Sequence, residues 1–329
     1  MKGFDPRWRD LPDYIIGITR EIWEDRGIAT LQHYYAPDIV VRSPASVVVG
    51  NQGVIAATMS TLAEFPDRTL LGEDVIWSGD PEAGMLSSHR LLSTATHTGV
   101  GAYGKPTGRR VVYRIIADCH AKANVIDDEW LIRDQGAIVR QMGWDPQDFA
   151  RDQIAREGGP EACVKPLTPT TDRPGPYKGK GNDNEWGQRL ADLLTRIMGA
   201  DFVAIPTVYD RAAALHYPGG VIGQSHGDAD RFWMGLRAAF PDAVFTLHHV
   251  IGRDDPLMPP RAAVRWSLWG KHTGWAAFGT PTGAQVHVLG ITHAEFGPFG
   301  SQGWGLRREY TFFDETAIWK QIVLHTGAL

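Results

Sequence analysis

Residues 97–108 read HTGVGAYGKPTG, and residues 272–283 read HTGWAAFGTPTG. A dodecapeptide that returns after 175 residues (from 97 to 272) makes the chain build one unit twice, and this constrains its architecture before any local pattern does. At the same offset Phe65-Pro66-Asp67 falls on Phe240-Pro241-Asp242, and Arg90 falls on Arg265. With small gaps, Val41-Arg42-Ser43-Pro44 falls on Leu215-His216-Tyr217-Pro218, His120 on His293, and Asp134 on Asp314. The unit is far longer than a solenoid repeat and has the size of a domain.

A chain of 329 residues accommodates two such units and a connection. The stretch KPLTPTTDRPGPYKGKGND, residues 165–183, is rich in Pro, Gly and Thr and reads as extended. We therefore expect domains at 1–150 and 184–329, joined by an extended linker at 151–183. The preceding DPQDFARDQIAREGGPE leaves open whether further helical turns come first.

Within each copy the periodicity changes in the same order. Tyr14, Ile15, Ile18, Ile22 and Trp23 recur at helical spacing, as do Leu190, Leu193, Leu194, Ile197 and Met198. A short second helix should end before PDIVV in one copy and YPGG in the other. A third helix should end at each Phe-Pro-Asp. Beyond it, residues 70–78, 86–97 and 109–122, and then 243–251, 262–272 and 284–296, carry the β-branched, alternating composition of strands. Helices followed by an antiparallel or mixed sheet define an α+β class, present twice. The dodecapeptide then joins two strands, its glycines and Pro-Thr-Gly ending supplying turn geometry, so His97 and His272 are expected to be structural.

A net charge of −5 argues against a nucleic-acid or anionic-membrane partner, which would favour a basic face. No run of about 18 apolar residues is present, and MKGFDPRWRD is not a secretory signal. Two cysteines make no disulfide framework. The expectation is a cytoplasmic protein without membrane or nucleic-acid partners.

The order of helices, the F-P-D exit, H-T-G…P-T-G and a terminal E-W-x-x-x-D together resemble the SnoaL-like polyketide cyclases. These belong to the nuclear-transport-factor-2-like, or cystatin-cone, superfamily. The resemblance covers nearly the whole chain apart from the linker, twice. It implies two tandem cones, each a curved sheet wrapped around about three helices over an apolar pocket. It also implies cofactor-free acid/base chemistry of cyclase, isomerase or lyase type on a small carbonyl compound, with an Asp as acid/base and a His nearby. Carried over, these are Asp134 with His120 and Asp314 with His293. A non-catalytic ligand-binding or assembly protein, or a dehydratase or epoxide hydrolase, remains the alternative; for the last, Arg114 and Asp118 are partial requirements. Single-domain relatives dimerise through the open sheet face, so the tandem is expected to pair its own two sheets, with further homodimerisation left open.

Period-2 alternation puts Trp130, Ile132 and Asp134 on one strand face, and Tyr310, Phe312 and Asp314 on one face of its counterpart. If that face lines the pocket, desolvation raises each carboxyl's pKa toward neutrality, where it can take a proton from carbon. Both aspartates also stand before short helical patterns, where Asp is a favoured N-cap. Arg42 and His216, at the same place before a turn, are candidate pocket residues, as are Arg114 and His287 on strand faces. No metal is assigned: His287 and His293 share a face with Glu295 but lie about 20 Å apart along an extended strand.

Overall fold

The computed structural model describes residues 1–328. In the first half, helices α1 (Leu11–Thr19) and α2 (Leu31–Tyr34) lead into strands β1 (Tyr35–Ser43) and β2 (Ser46–Val49), and then helix α3 (Asn51–Glu64). Strands β3 (Thr69–Asp80), β4 (Gly84–Thr96), β5 (Arg110–Lys122) and β6 (Val125–Arg133) follow, then α4 (Gln135–Gln141) and α5 (Pro146–Arg156). The second half repeats this order. It runs α6 (Glu185–Met198), α7 (Ala204–Val208), β7 (Tyr209–Tyr217), β8 (Val221–Gly223) and α8 (His226–Ala239). Strands β9 (Val244–Arg253), β10 (Arg261–Lys271), β11 (Gln285–Gly297) and β12 (Gly305–Phe313) and helix α9 (Glu315–Thr326) complete it.

Each half forms a six-stranded sheet, in the orders β2-β1-β6-β5-β4-β3 and β8-β7-β12-β11-β10-β9. The β1–β6 and β7–β12 pairs are parallel and the others antiparallel, so both sheets are mixed. Helices α3 and α8 are displaced by 175 residues end to end, as the repeat requires. In the first copy the short helix ends before Pro37, as the sequence reading has it; in the second the reading carries it up to Tyr217-Pro218, where strand β7 lies instead. Helix α2 stops at Tyr34 because the β-branched run Ile39-Val40-Val41 is claimed by pairing to β6.

The two sheets pack on each other through Ile116, Ile132, Leu289, Ile291, Tyr310 and Phe312. The connection does not simply cross the outside. Leu167 enters this shared core, Leu167 N–H donates to Pro44 O at 3.0 Å, and Tyr177 Oη is 2.7 Å from His249 Nε2. Both strand faces are therefore buried, one by the domain's own helices and the other by the second sheet. In both copies the dodecapeptide histidine is fully buried and its Nδ1 meets a threonine hydroxyl at 3.1 Å, Thr107 for His97 and Thr282 for His272. No helix among the described residues is long and apolar enough to cross a membrane.

Candidate functional site

The helix-facing side of β6 carries Glu129, Leu131 and Arg133. With Ile115, Ala117 and Cys119 of β5, His89 and Leu91 of β4, and Thr58 of α3, they line a cavity of about 320 Å³ inside the first domain. The walls are mainly apolar, and the polar groups gather in two places.

At one end stands Glu129, in register with Val41 of β1 and Cys119 of β5. Burial lifts its pKa from 4.5 to about 7, outweighing the neighbouring Tyr35 hydroxyl and Cys119 thiol, which favour the charged form. Its Oε2 is buried without a hydrogen-bond partner. His89, whose Nδ1 lies 3.2 Å from Ser87 Oγ, is held neutral by burial, its pKa lowered to about 4. At the other end Arg68, Arg133 and Gln135 border the cavity together with Asp314, which arrives from the second domain. Asp314 caps α9, accepting from Thr316 N at 2.8 Å, Thr316 Oγ1 at 2.7 Å and Ala317 N at 3.1 Å, all on Oδ1. Desolvation raises its pKa to about 6 despite these bonds and the nearby Arg133 charge.

Among the described residues of the second domain, large side chains fill the corresponding space. Superposition of the registers places Trp233 where the first domain has Thr58, Phe232 for Ala57, Trp266 for Leu91 and Phe313 for Arg133, and all four pack into its core. Trp233 and Trp266 lie 6.0 Å apart, and Phe232 stacks on Tyr217 at 3.8 Å. Gly290 stands where the first domain has Ile115, and any Cβ there would collide with the Trp266 ring. Glu309, the counterpart of Glu129, accepts from Tyr209 Oη at 2.8 Å, Tyr217 Oη at 2.9 Å and Thr311 Oγ1 at 2.5 Å. The first cone is a cavity and the second is a filled core.

The other residues expected in a pocket lie on the opposite strand face, between the sheets. Trp130 stacks under the Arg265 guanidinium at 3.6 Å, and Tyr310 under that of Arg90 at the same distance. Arg42 pairs with Asp128 and with Asp172, the latter at 2.7 Å, and His216 stacks on Tyr310 at 4.6 Å. Arg114 pairs with Glu73 at 2.8 Å, and Asp118 with Arg265 at 2.5 Å, so the pair an epoxide hydrolase would need does not face the cavity. Ile132 and Phe312 join the shared core, and His287 Nδ1 donates to Leu167 O at 3.0 Å.

The paired His and Asp are likewise not brought together. His120 pairs with Asp128 on β6 while Ile115 pairs with Arg133, so His120 lies about 17 Å along the sheet from the end that bears Asp134. His120 Nδ1 instead meets Asp127 Oδ1 at 2.6 Å. His293 is 2.8 Å from Ser88 Oγ and 3.2 Å from Arg90 Nη1. Its register partner in the first copy is Asp118, not His120, because the strands align without the two-residue gap. Asp134 caps α4 through Ala137 N and accepts from Gly219 N at 2.7 Å and Gly220 N at 3.0 Å of the second domain.

The physical reason for the reversal is parity. The alternation was right, but with both faces buried it does not say which one meets the helices. Parity of β6 accounts for Glu129 and Arg133; His89 on β4 and Arg68 in the turn before β3 reach the cavity through the sheet's curvature around α3, which strand alternation does not encode. A signal was available in the two copies: a glutamate precedes the aromatic residue in both Glu129-Trp130 and Glu309-Tyr310, within strands that are otherwise mostly apolar.

Two α+β domains, each a mixed sheet packed on its own helices, define the nuclear-transport-factor-2-like fold, and the first keeps a cavity at that interface. A model of the SnoaL-like polyketide cyclase family matches residues 14–142, and a SnoaL-like domain model matches residues 190–297. The chain belongs to the SnoaL-like family, with two such domains in tandem.

Among solved structures the chain is similar to IdmH from Streptomyces antibioticus, at 24% identity over 40% of this chain and 98% of that one, with a TM-score of 0.34. It is also similar to a SnoaL-like polyketide cyclase from Agrobacterium tumefaciens, at 19% identity over 41% and 99%, with a TM-score of 0.33. A nuclear-transport-factor-2-like superfamily protein from Salmonella enterica matches at 13% identity over 40% and 92%, with a TM-score of 0.32. No curated protein matches the chain.

Proposed function

We propose that the first domain is an acid/base enzyme of cyclase, isomerase or lyase type acting on a small carbonyl compound, and that the second domain is its non-catalytic partner. The observation that carries this reading is Glu129: a carboxyl in an apolar cavity, with one oxygen unpartnered and a pKa near 7. A group that titrates there holds both protonation states at neutral pH, the optimum for taking a proton from carbon and returning it.

In this scheme the substrate carbonyl lies between Glu129 and His89. Glu129 removes the proton α to the carbonyl, and the neutral His89 imidazole, which cannot compete as a base, donates to the developing enolate oxygen. The enolate then reprotonates, expels a β-leaving group or closes on a second carbonyl; each of these returns the proton through Glu129. The scheme draws on no group outside the chain.

Asp314 belongs to this first site as a residue contributed by the second domain, while Asp134 and His293 bridge the two domains and His120 packs against Tyr177 of the connection. On this reading the domain boundaries 1–150 and 184–329 enclose one working site and one support. A screen of carbonyl metabolites comparing wild type with Glu129→Gln tests the assignment. Turnover should be lost in the variant, and undiminished turnover refutes it.

A further inference from the structure

The polar end of the first cavity holds an uncompensated charge. Arg68 is 6% exposed and spends its Nε on Ser93 Oγ at 3.4 Å and Tyr113 Oη at 3.1 Å, both neutral groups. Arg133 borders the same end, and its Nε is buried without any partner. Among the described residues neither guanidinium has a carboxylate within 4 Å, whereas Arg42, Arg90, Arg261 and Arg265, the other well-buried arginines, each have one. The two cations face each other closely enough that Arg133 further depresses the pKa of Arg68, already lowered by burial.

Of the carboxyls bordering the cavity, Glu129 is at the far end and only Asp314 is at this one. Two guanidiniums against one carboxylate leave one positive charge. Burying such a charge unpaired costs several kcal/mol, and the second domain, whose corresponding space is filled by aromatic side chains, carries Ala243 and Phe313 at these two positions. The cations and the space occur together.

We propose that this end of the cavity receives the carboxylate of an apolar, monoanionic substrate, with Arg133 and Arg68 as its receptors. This rests on the reading of the first cone as the working site and names its substrate class: a carbonyl compound bearing a carboxylate. Glu129 and Arg133 are four residues apart on β6, about 13 Å between Cα positions, which bounds the distance from the reacting carbon to that carboxylate. A carboxylate accepts from a guanidinium through two parallel N–H groups, and the unpartnered Arg133 Nε is one of the donors such a pair uses.

Isothermal titration of the full chain with 4-biphenylacetate and with 4-biphenylacetamide, probes equal in shape and different in charge, tests the proposal. Wild type should bind the carboxylate at least about 10-fold more tightly than the amide. Arg133→Met and Arg68→Met should each reduce that ratio toward one while amide affinity is kept. Equal affinity of wild type for both probes, no binding of the carboxylate, or a preference that survives in both variants overturns the proposal. Glu129→Gln separates the two readings: it should retain the carboxylate preference even though it loses turnover. Loss of turnover with no preference in any form leaves the acid/base reading standing and sinks this one, and the reverse pattern does the opposite.

Discussion

Thr58 and Trp233 occupy the same position in two copies of one fold, and this difference separates an open cone from a closed one. Thr58 lies on α3 facing the first cavity; Trp233, fully buried on α8, fills the corresponding space and donates its indole N–H to Tyr209 Oη at 3.2 Å. The chain thus contains its own control for what a ligand-free, packed version of the domain looks like.

Thr58→Trp should therefore abolish ligand binding in the first domain without unfolding it. The indole buries apolar surface in a space of about 320 Å³ that already has the shape of the fold. Titration with an apolar fluorescent probe should show the high-affinity site gone, and thermal unfolding should show a melting temperature equal to or above that of wild type.

The inter-sheet contact depends on matched ion pairs. Asp118→Ala would leave Arg265, 4% exposed, buried without its carboxylate. The expected loss is about 3–5 kcal/mol, read as a lower midpoint in urea unfolding. A change below about 1 kcal/mol would place Arg265 among the solvated surface pairs instead.

Ionisation of Glu129 should make stability depend on pH in a definite direction. Its carboxyl has a folded-state pKa of about 7 against an ordinary 4.5, so the folded state keeps a proton that the unfolded chain has released. Stability from this group is fully present below about pH 4.5 and falls as the pH rises to about 7, beyond which the loss is complete. At about 1.4 kcal/mol per pKa unit, Glu129→Gln should gain on wild type by up to about 3 kcal/mol across that window. Paired unfolding curves between pH 4.5 and 7.5 would show it, and parallel curves would contradict it.

The 175-residue offset made the tandem legible, independent of local propensity, and the alternating β-branched composition placed the limits of β3–β5 and β9–β11 within a few residues. The third helices, the hairpin role of His97 and His272, and the N-cap roles of Asp134 and Asp314 were readable from spacing and residue type. The face of β6 was not. In Glu129-Trp130-Leu131-Ile132-Arg133-Asp134 either set of alternate residues could line a pocket, since Trp130 and Ile132 are as apolar as a cavity wall. Only the second sheet, packed over the Trp130 face, decides that Glu129 and Arg133 turn inward. Asp314 shows the same effect from the other side: it borders the first domain's cavity and not a pocket of its own domain, a relationship that no single-copy pattern contains.

The account's central claim, that Glu129 in the first cone is the acid/base, is tested most directly by carbon-bound proton exchange. Deuterium incorporation from D2O into a panel of small keto acids, followed by NMR, would be compared for wild type, Glu129→Gln and Asp134→Asn. The account predicts exchange α to the carbonyl with wild type and with the folded Asp134→Asn protein, and a fall on the order of 10²-fold or more with Glu129→Gln. Exchange that persists undiminished in Glu129→Gln would contradict it.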